Sequence, residues 1–224
     1  MKYWYLRNLE LFTTLNKDQV SDLADHAHFF RMKKGQIIHF SNEGSDRLYF
    51  LMNGKIKVSE NDGIGNEMIK GIVLSGDLFG ECGEDNPLSN NRQFAQILSD
   101  EVIICSFSRD RFEELMQKHP MLALCYSRKI NEKLRQLETR YSSLVFKDVR
   151  TRLKSFLYEW AQKEGKLSKE GWVIKNYLTH GEIASLISSS RQTVTTLINE
   201  MKEEGELQYS RSRIVVVDSN QIAA

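Results

Sequence analysis

Near the C-terminus, SSSRQTVTTLINEM at 188–201 sets Arg191, Gln192, Thr195 and Thr196 on one strip at i, i+1, i+4 and i+5 of a helical pattern. Val194, Leu197, Ile198 and Met201 take the opposite face. The strip has a definite chemistry. An arginine fork fits guanine O6 and N7 or a phosphate, and a glutamine amide fits adenine N6 and N7. Ser189 reads as the N-cap of this helix, which places Gln192 where a capping box would use it, so Gln192 carries a local reading beside the base-reading one. Ser189, Ser190, the helix amides, Lys202, Arg211 and Arg213 offer contacts to phosphate. For each of them singly, an ordinary solvated side chain explains the residue as well.

A strip of this kind is useful only on a helix that protrudes from a small rigid head, and the flanking residues supply one. Thr179 and Glu182 form a capping box that opens a short helix with Ile183, Leu186 and Ile187 inward, and Ser188–Ser190 then make a tight turn. The second helix stops at Gly205. GELQYSRSRIVVVD alternates about a turn near Ser210–Ser212 and predicts a β-hairpin. Two short helices, a few-residue turn and a β wing make a winged helix-turn-helix. Before it, DVRTRLKSFLYEWAQ carries Val149, Leu153, Phe156, Leu157 and Trp160 as an apolar stripe, and WVIKNYL predicts a strand.

Further upstream, Pro120–Phe146 predicts one long helix. From Ile130 its apolar residues fall at Ile130, Leu134, Leu137, Tyr141 and Leu144, in alternating steps of four and three, the seam of a helix that packs on a parallel partner. The other reading is a long helix lying on its own domain. Between Phe29 and Phe107 the texture is different: IIHF, LYFL, KIKVS, EMIKGIVL, AQIL and VIICSF recur about every ten residues between glycine turns. That predicts an all-β sandwich, barrel or roll. Leu6–Ala27 reads as two short helices, with Asn16 and Gln19 as a capping box, and Arg109–Lys118 as another carrying Phe112, Leu115 and Met116 on one face. The expected fold is α+β: a jelly-roll-like double-stranded β-roll at 1–119, a dimerisation helix at 120–146 and a winged helix-turn-helix at 147–224.

Composition narrows the classes. The net charge of +1 over 224 residues divides into −4 for residues 1–119 and +5 for 120–224, a small excess that leans the second half toward a polyanion. Apolar runs such as IVVV are too short to span a bilayer, and MKYWYLRNLELF lacks a signal-peptide pattern. Cys82, Cys105 and Cys125 share no metal spacing and suit a reducing cytoplasm. No nucleophile with its base, carboxylate pair or metal cluster stands out, so an enzyme is not expected.

The roll pattern with GSDRLYFLMNGKIKV at 44–58, GDLFGE at 76–81 followed by Arg92, FKDVRTRL at 146–153 and SSSRQTVTTLINEM at 188–201 together resemble the Crp/Fnr family of bacterial transcription regulators, over nearly the whole chain. The resemblance implies a homodimer in which a signal at the roll repositions paired helices and two reading heads. It implies a palindromic double-stranded DNA operator and RNA polymerase as further partners. In family members that bind cyclic AMP, a Gly-Glu pair and a following arginine hold the ribose hydroxyl and the cyclic phosphate; here Gly80, Glu81 and Arg92 stand at those positions. The residue after the arginine, usually Ser or Thr, is Gln93. The Thr-Ser pair that reaches the adenine from the dimer helices falls on Leu137 and Glu138. A leucine and a carboxylate cannot replace two hydroxyls, and an unpaired buried amine is costly, so cyclic AMP is disfavoured. Glu81 and Arg92 equally read as a salt bridge inside the roll.

An iron–sulfur cluster of the oxygen-sensing branch needs N-terminal cysteines, and none precedes Cys82. Haem would need an axial ligand from His26, His28, His39, His119, Cys82 or a methionine, all of which equally read as structural. A thiol switch at Cys82, Cys105 or Cys125 is weaker, because Cys105 sits in a strand pattern that reads as buried. The alternative function is a cyclic-nucleotide-binding regulatory module with no DNA-binding role of its own, which would have no helix-turn-helix.

Overall fold

The computed structural model describes residues 2–40, 47–61, 67–80 and 93–217. The chain forms two compact units, 1–135 and 136–224.

The first unit opens with α1 (Lys2–Arg7), a single 3-10 turn (Glu10–Phe12) and α2 (Lys17–His26), whose N-cap Asn16 closes the expected capping box with Gln19. Among the described residues eight strands follow: β1 (His28–Lys33), β2 (Ile37–His39), β3 (Arg47–Asn53), β4 (Lys55–Asn61), β5 (Glu67–Leu74), β6 (Leu78–Phe79), β7 (Gln93–Ile97) and β8 (Glu101–Ser108). They build two antiparallel four-stranded sheets, β1-β8-β3-β6 and β2-β7-β4-β5. β1 and β6 were not among the expected runs: HFFRMK lacks flanking turn residues on its N-terminal side, and Leu78–Phe79 is only two residues long.

The central strands β3 and β8 are buried on both faces, which the pleat divides between two cores. Tyr49, Leu51, Val102 and Ile104 point between the sheets with Ile38, Phe40, Ile56, Val73, Phe79, Ala95 and Ile97. Leu48, Phe50, Cys105 and Phe107 point the other way, into a layer made by Leu6, Phe12, Leu15, Leu23, Phe112 and Leu122. The roll is therefore an outer helical layer on one sheet and that sheet on the second.

α3 (Arg109–Lys118) leads through His119 into α4 (Pro120–Phe146). The start of α4 belongs to the helical layer. Leu122 is fully buried, the Tyr126 ring meets Phe112 at 5.5 Å, Lys129 Nζ pairs with Asp77 at 3.2 Å and Lys133 Nζ donates to the Leu78 carbonyl at 2.6 Å. From Ile130 onward the helix carries its apolar residues in solvent.

The second unit packs α5 (Val149–Glu164), α6 (His180–Leu186) and α7 (Arg191–Glu203) on a sheet of order β11-β12-β10-β9. The strands are β9 (Lys166–Ser168), β10 (Gly171–Lys175), β11 (Leu207–Tyr209) and β12 (Arg213–Val216). Leu153, Leu157, Ile174, Ile183, Ala184, Val194, Ile198, Leu207 and Ile214 form its core. Val149, Phe156, Leu186 and Leu197, read as inward-facing, lie half-exposed at the margin of that core.

Candidate nucleic-acid interface and effector site

The head is built around the turn between α6 and α7. Thr179 Oγ1 accepts from the Glu182 amide at 3.2 Å while Glu182 Oε2 accepts from the Thr179 amide at 2.8 Å, so α6 starts where the capping box predicts. Its end is less ordinary. Ser188 takes φ 54, the left-handed conformation that glycine normally supplies, and the Ser189 amide donates back to the Ala184 carbonyl at 2.9 Å. Arg152 of α5 fastens this strained corner: its guanidinium donates to the carbonyls of Ile187 at 3.0 Å, Ser188 at 3.2 Å and Lys147 at 2.9 Å. A cation on the carbonyl end of a helix is also favoured by the helix dipole.

The structure corrects the cap of α7. Ser190, not Ser189, is the N-cap, and its Oγ accepts from the Thr193 amide at 3.0 Å. Gln192 is consequently the second helical residue and takes no part in a capping box; its amide is exposed. Three consecutive serines made the register ambiguous, and the left-handed turn at Ser188 consumed one more residue than a tight turn would.

Of the strip, Arg191, Gln192 and Thr196 are exposed and Thr195 is half-buried. Thr195 spends its hydroxyl inside the fold, donating to the Arg191 carbonyl at 2.9 Å and lying 2.9 Å from His180 Nδ1. Lys202, Arg211 and the cap Ser190 are exposed, and Ser189 is half-exposed. Arg213 is exposed but pairs with Glu170 at 3.1 Å. The wing turn is tied by Ser210 and by the buried Asn176, whose Nδ2 donates to Tyr209 Oη at 3.0 Å and to the Ser210 carbonyl at 3.1 Å.

Charge along α7 is polarised. Arg191 stands at the start, whereas Glu200 and Glu204 near the end, with Glu206 beyond it, are paired with Arg150, and Glu206 also with Lys154 at 2.7 Å. The Lys154 and Arg150 partners hold the Glu206 carboxyl below its usual range. The acidic end is thus balanced by α5, and the uncompensated end of the helix is the basic one. α7 closes with Gly205 at φ 76, whose amide bonds Lys202 O at 3.2 Å while that of Glu206 bonds Met201 O at 2.9 Å.

Arg152, Asn176 and His180 organise this surface and were not singled out from sequence. Arg152 lay within FKDVRTRL and had the arginine-on-carbonyl chemistry, but nothing local marks which carbonyls it meets.

In the roll, Gly80 has a backbone reason to be glycine: its φ is 92, and a Cβ there would lie 2.7 Å from Tyr49 Cδ2. Gln93 begins β7 opposite Glu60, and its carbonyl accepts from the Phe40 amide at 3.4 Å. Glu81, Arg92 and Cys82 lie outside the described residues. Leu137 and Glu138 are both exposed on α4.

His119 is buried between Gln19 and Asp22, His26 meets Asp22 and Arg111, and His28 and His39 are exposed on strands. Among the described residues no group of three or more His, Cys, Asp or Glu side chains could hold a metal, and no helix is long and apolar enough to cross a membrane.

Two family models match, a cyclic nucleotide-binding domain over residues 29–119 and a Crp-like helix-turn-helix domain over 151–224. The first alone would describe a regulatory module; the second puts a DNA-reading head on the same chain. A global nitrogen regulator of Synechocystis is 26% identical over 183 residues, covering 82% of this chain and 81% of its own. A cAMP-activated global transcriptional regulator of Haemophilus influenzae is 28% identical over 204 residues, 90% of this chain and 89% of its own. The fold is that of a CooA mutant from Carboxydothermus hydrogenoformans, with TM-score 0.77, 24% identity and 97% and 96% of the two chains covered. With a cyclic-nucleotide-binding-type roll, a long helix and a Crp-like reading head in this order, the chain belongs to the Crp/Fnr family of transcription regulators.

Proposed function

We propose that the protein works in the cytoplasm as a homodimer on palindromic double-stranded DNA, in partnership with RNA polymerase, with its activity set by a signal at the roll. Its working parts divide as a sensor at 1–119, a dimerisation helix at 120–146 and a reading head at 147–224. The observation that carries this reading is the seam of α4. Ile130, Leu134, Leu137, Tyr141 and Leu144 keep 39%, 52%, 61%, 70% and 39% of their surface exposed in the single chain. Five large apolar residues in a heptad register are an unfinished interface whose natural complement is the same helix of a second copy. Sedimentation of the full chain tests it: a dimer at micromolar concentration is expected, and a monomer that still binds a full palindrome tightly would overturn the architecture.

On DNA, Arg191 reads guanine, Gln192 adenine, and Thr196 the adjoining edge, while Thr195 supports them from below. Ser189, Ser190, Lys202, Arg211 and Arg213 hold phosphates. The effector is a ligand other than cyclic AMP. This rests on Leu137 and Glu138 replacing the hydroxyl pair expected for adenine, and it separates the chain from its Haemophilus relative, which is cAMP-activated. Thermal melting with cyclic AMP checks it. No shift is expected, whereas a site filled to about a hundred times its Kd would add ~2.7 kcal/mol, a rise of roughly 5 °C or more.

A further inference from the structure

His180 opens α6 directly beneath the first turn of α7. Its Nδ1 lies 2.9 Å from Thr195 Oγ1, and that hydroxyl donates its one hydrogen to the Arg191 carbonyl at 2.9 Å. Thr195 therefore accepts from the ring, Nδ1 carries the proton, and Nε2 is the bare nitrogen of a neutral imidazole. The ring is clamped edge-on against Tyr209 of the wing, centroid to centroid 4.9 Å at 62°, and Tyr209 Oη is in turn held by Asn176. The charged group facing it from α7 is Arg191; from β11 it is the neutral phenol of Tyr209; on its own helix, Glu182 is turned back onto Thr179. Partial burial first, and then the Arg191 guanidinium, hold its pKa below the ordinary histidine value. The same arginine passes over Gly181, where an added Cβ would stand 4.0 Å from Arg191 Cδ.

We propose that His180 is a positioning residue for the reading helix whose protonation is linked to DNA binding, so that the protein grips DNA more tightly as pH falls through the histidine range. This rests on the reading that the exposed strip of α7 meets DNA. The phosphodiesters that Ser189 and Ser190 hold at the start of α7 bring negative charge beside Arg191 and His180 and offset the field that now opposes a proton on the ring. Protonation leaves the Nδ1–H bond to Thr195 intact and adds a second donor at Nε2, so the support of α7 is kept while the charge changes. The sign follows from linkage. A pKa higher in the DNA complex than in the free protein means proton uptake on binding, hence affinity that rises as pH falls between the two values and is flat above both.

The test uses the full chain and a duplex enriched from a random pool at pH 8. Binding is followed by fluorescence anisotropy at fixed ionic strength from pH 8 to 5.5, for wild type and His180→Asn, whose amide nitrogen matches the place of Nδ1 and cannot titrate. Wild type is expected to tighten roughly threefold to tenfold, since each unit of pKa change is a tenfold change in affinity. Each protein is referenced to its own affinity at pH 8, and His180→Asn is expected to lose the difference. Equal pH dependence in both proteins, or a flat wild type, would overturn the inference. The histidine Cε1–H resonance of wild type, titrated free and DNA-bound, reads the same link without a variant, and an unchanged midpoint would also sink it. Failure of wild type to bind any duplex at pH 8 would instead remove the DNA reading beneath it.

Discussion

α7 and the second half of α4 are both amphipathic helices of one chain, and they resolve their amphipathicity in opposite ways. On α7 the centre of the apolar face is gone from solvent, with Val194, Ile198 and Met201 at 0%, 1% and 3% exposure and Leu197 at the margin, and the polar strip of Arg191, Gln192 and Thr196 is left outside. On α4 beyond Ile130 it is the apolar residues that stand outside, ending in Val145 and Phe146. In the reading proposed above, the face each helix leaves uncovered matches the chemistry of its partner: polar and anionic for α7, apolar for α4. Both helices carry the same apolar period in sequence, and only burial tells which face is spoken for.

Ile198→Ala, which cuts into the head's core, is expected to cost about 2–5 kcal/mol in urea melts, while Leu137→Ala leaves the dilute chain within about 0.5 kcal/mol of wild type. Comparable losses would mean that Leu137 is covered by its own chain. Leu134→Asp or Leu137→Asp places a carboxylate in the proposed seam and is expected to weaken self-association by about 3 kcal/mol or more, with operator binding lost alongside. Retained dimers in sedimentation would assign the seam another role. Arg191→Ala should lose about 1–3 kcal/mol of preference for the operator over random DNA, whereas Lys202→Ala weakens both alike and lowers the salt slope by about one. Equal loss on both DNAs for Arg191→Ala would make it a phosphate contact. The smallest effect concerns the corner that aims α7. Ser188→Gly relieves a left-handed serine and should stabilise by about 0.5–1 kcal/mol. A destabilised variant would show that the serine side chain contributes something the backbone does not.

Much of this was legible from sequence because it is local. The capping boxes at Asn16 and Thr179, the stop at Gly205 and the apolar period of α7 each depend on residues within one or two turns. The three-serine run was not legible in register, since any of the serines can cap and a left-handed serine leaves no mark in composition. The strip spacing groups Thr195 with Arg191, Gln192 and Thr196, and only the approach of His180, fifteen positions away, shows its hydroxyl engaged inside the fold. Arg152 and Asn176 act on carbonyls and a hydroxyl far along the chain, and such targets carry no side-chain signature at all. Gly80 was read as part of a ligand motif, and the structure adds a steric reason, the ring of Tyr49, that holds with or without a ligand.

Arg152 touches Lys147, in the joint after α4, and Ile187–Ser188, in the corner before α7, with a single guanidinium. In mechanical terms it is one tie shared by two turns of the chain. A torsion change at 147–148 that carried the Lys147 carbonyl away would cost the guanidinium one of its three acceptors and leave the corner at Ile187–Ser188 held by a side chain with one anchor fewer.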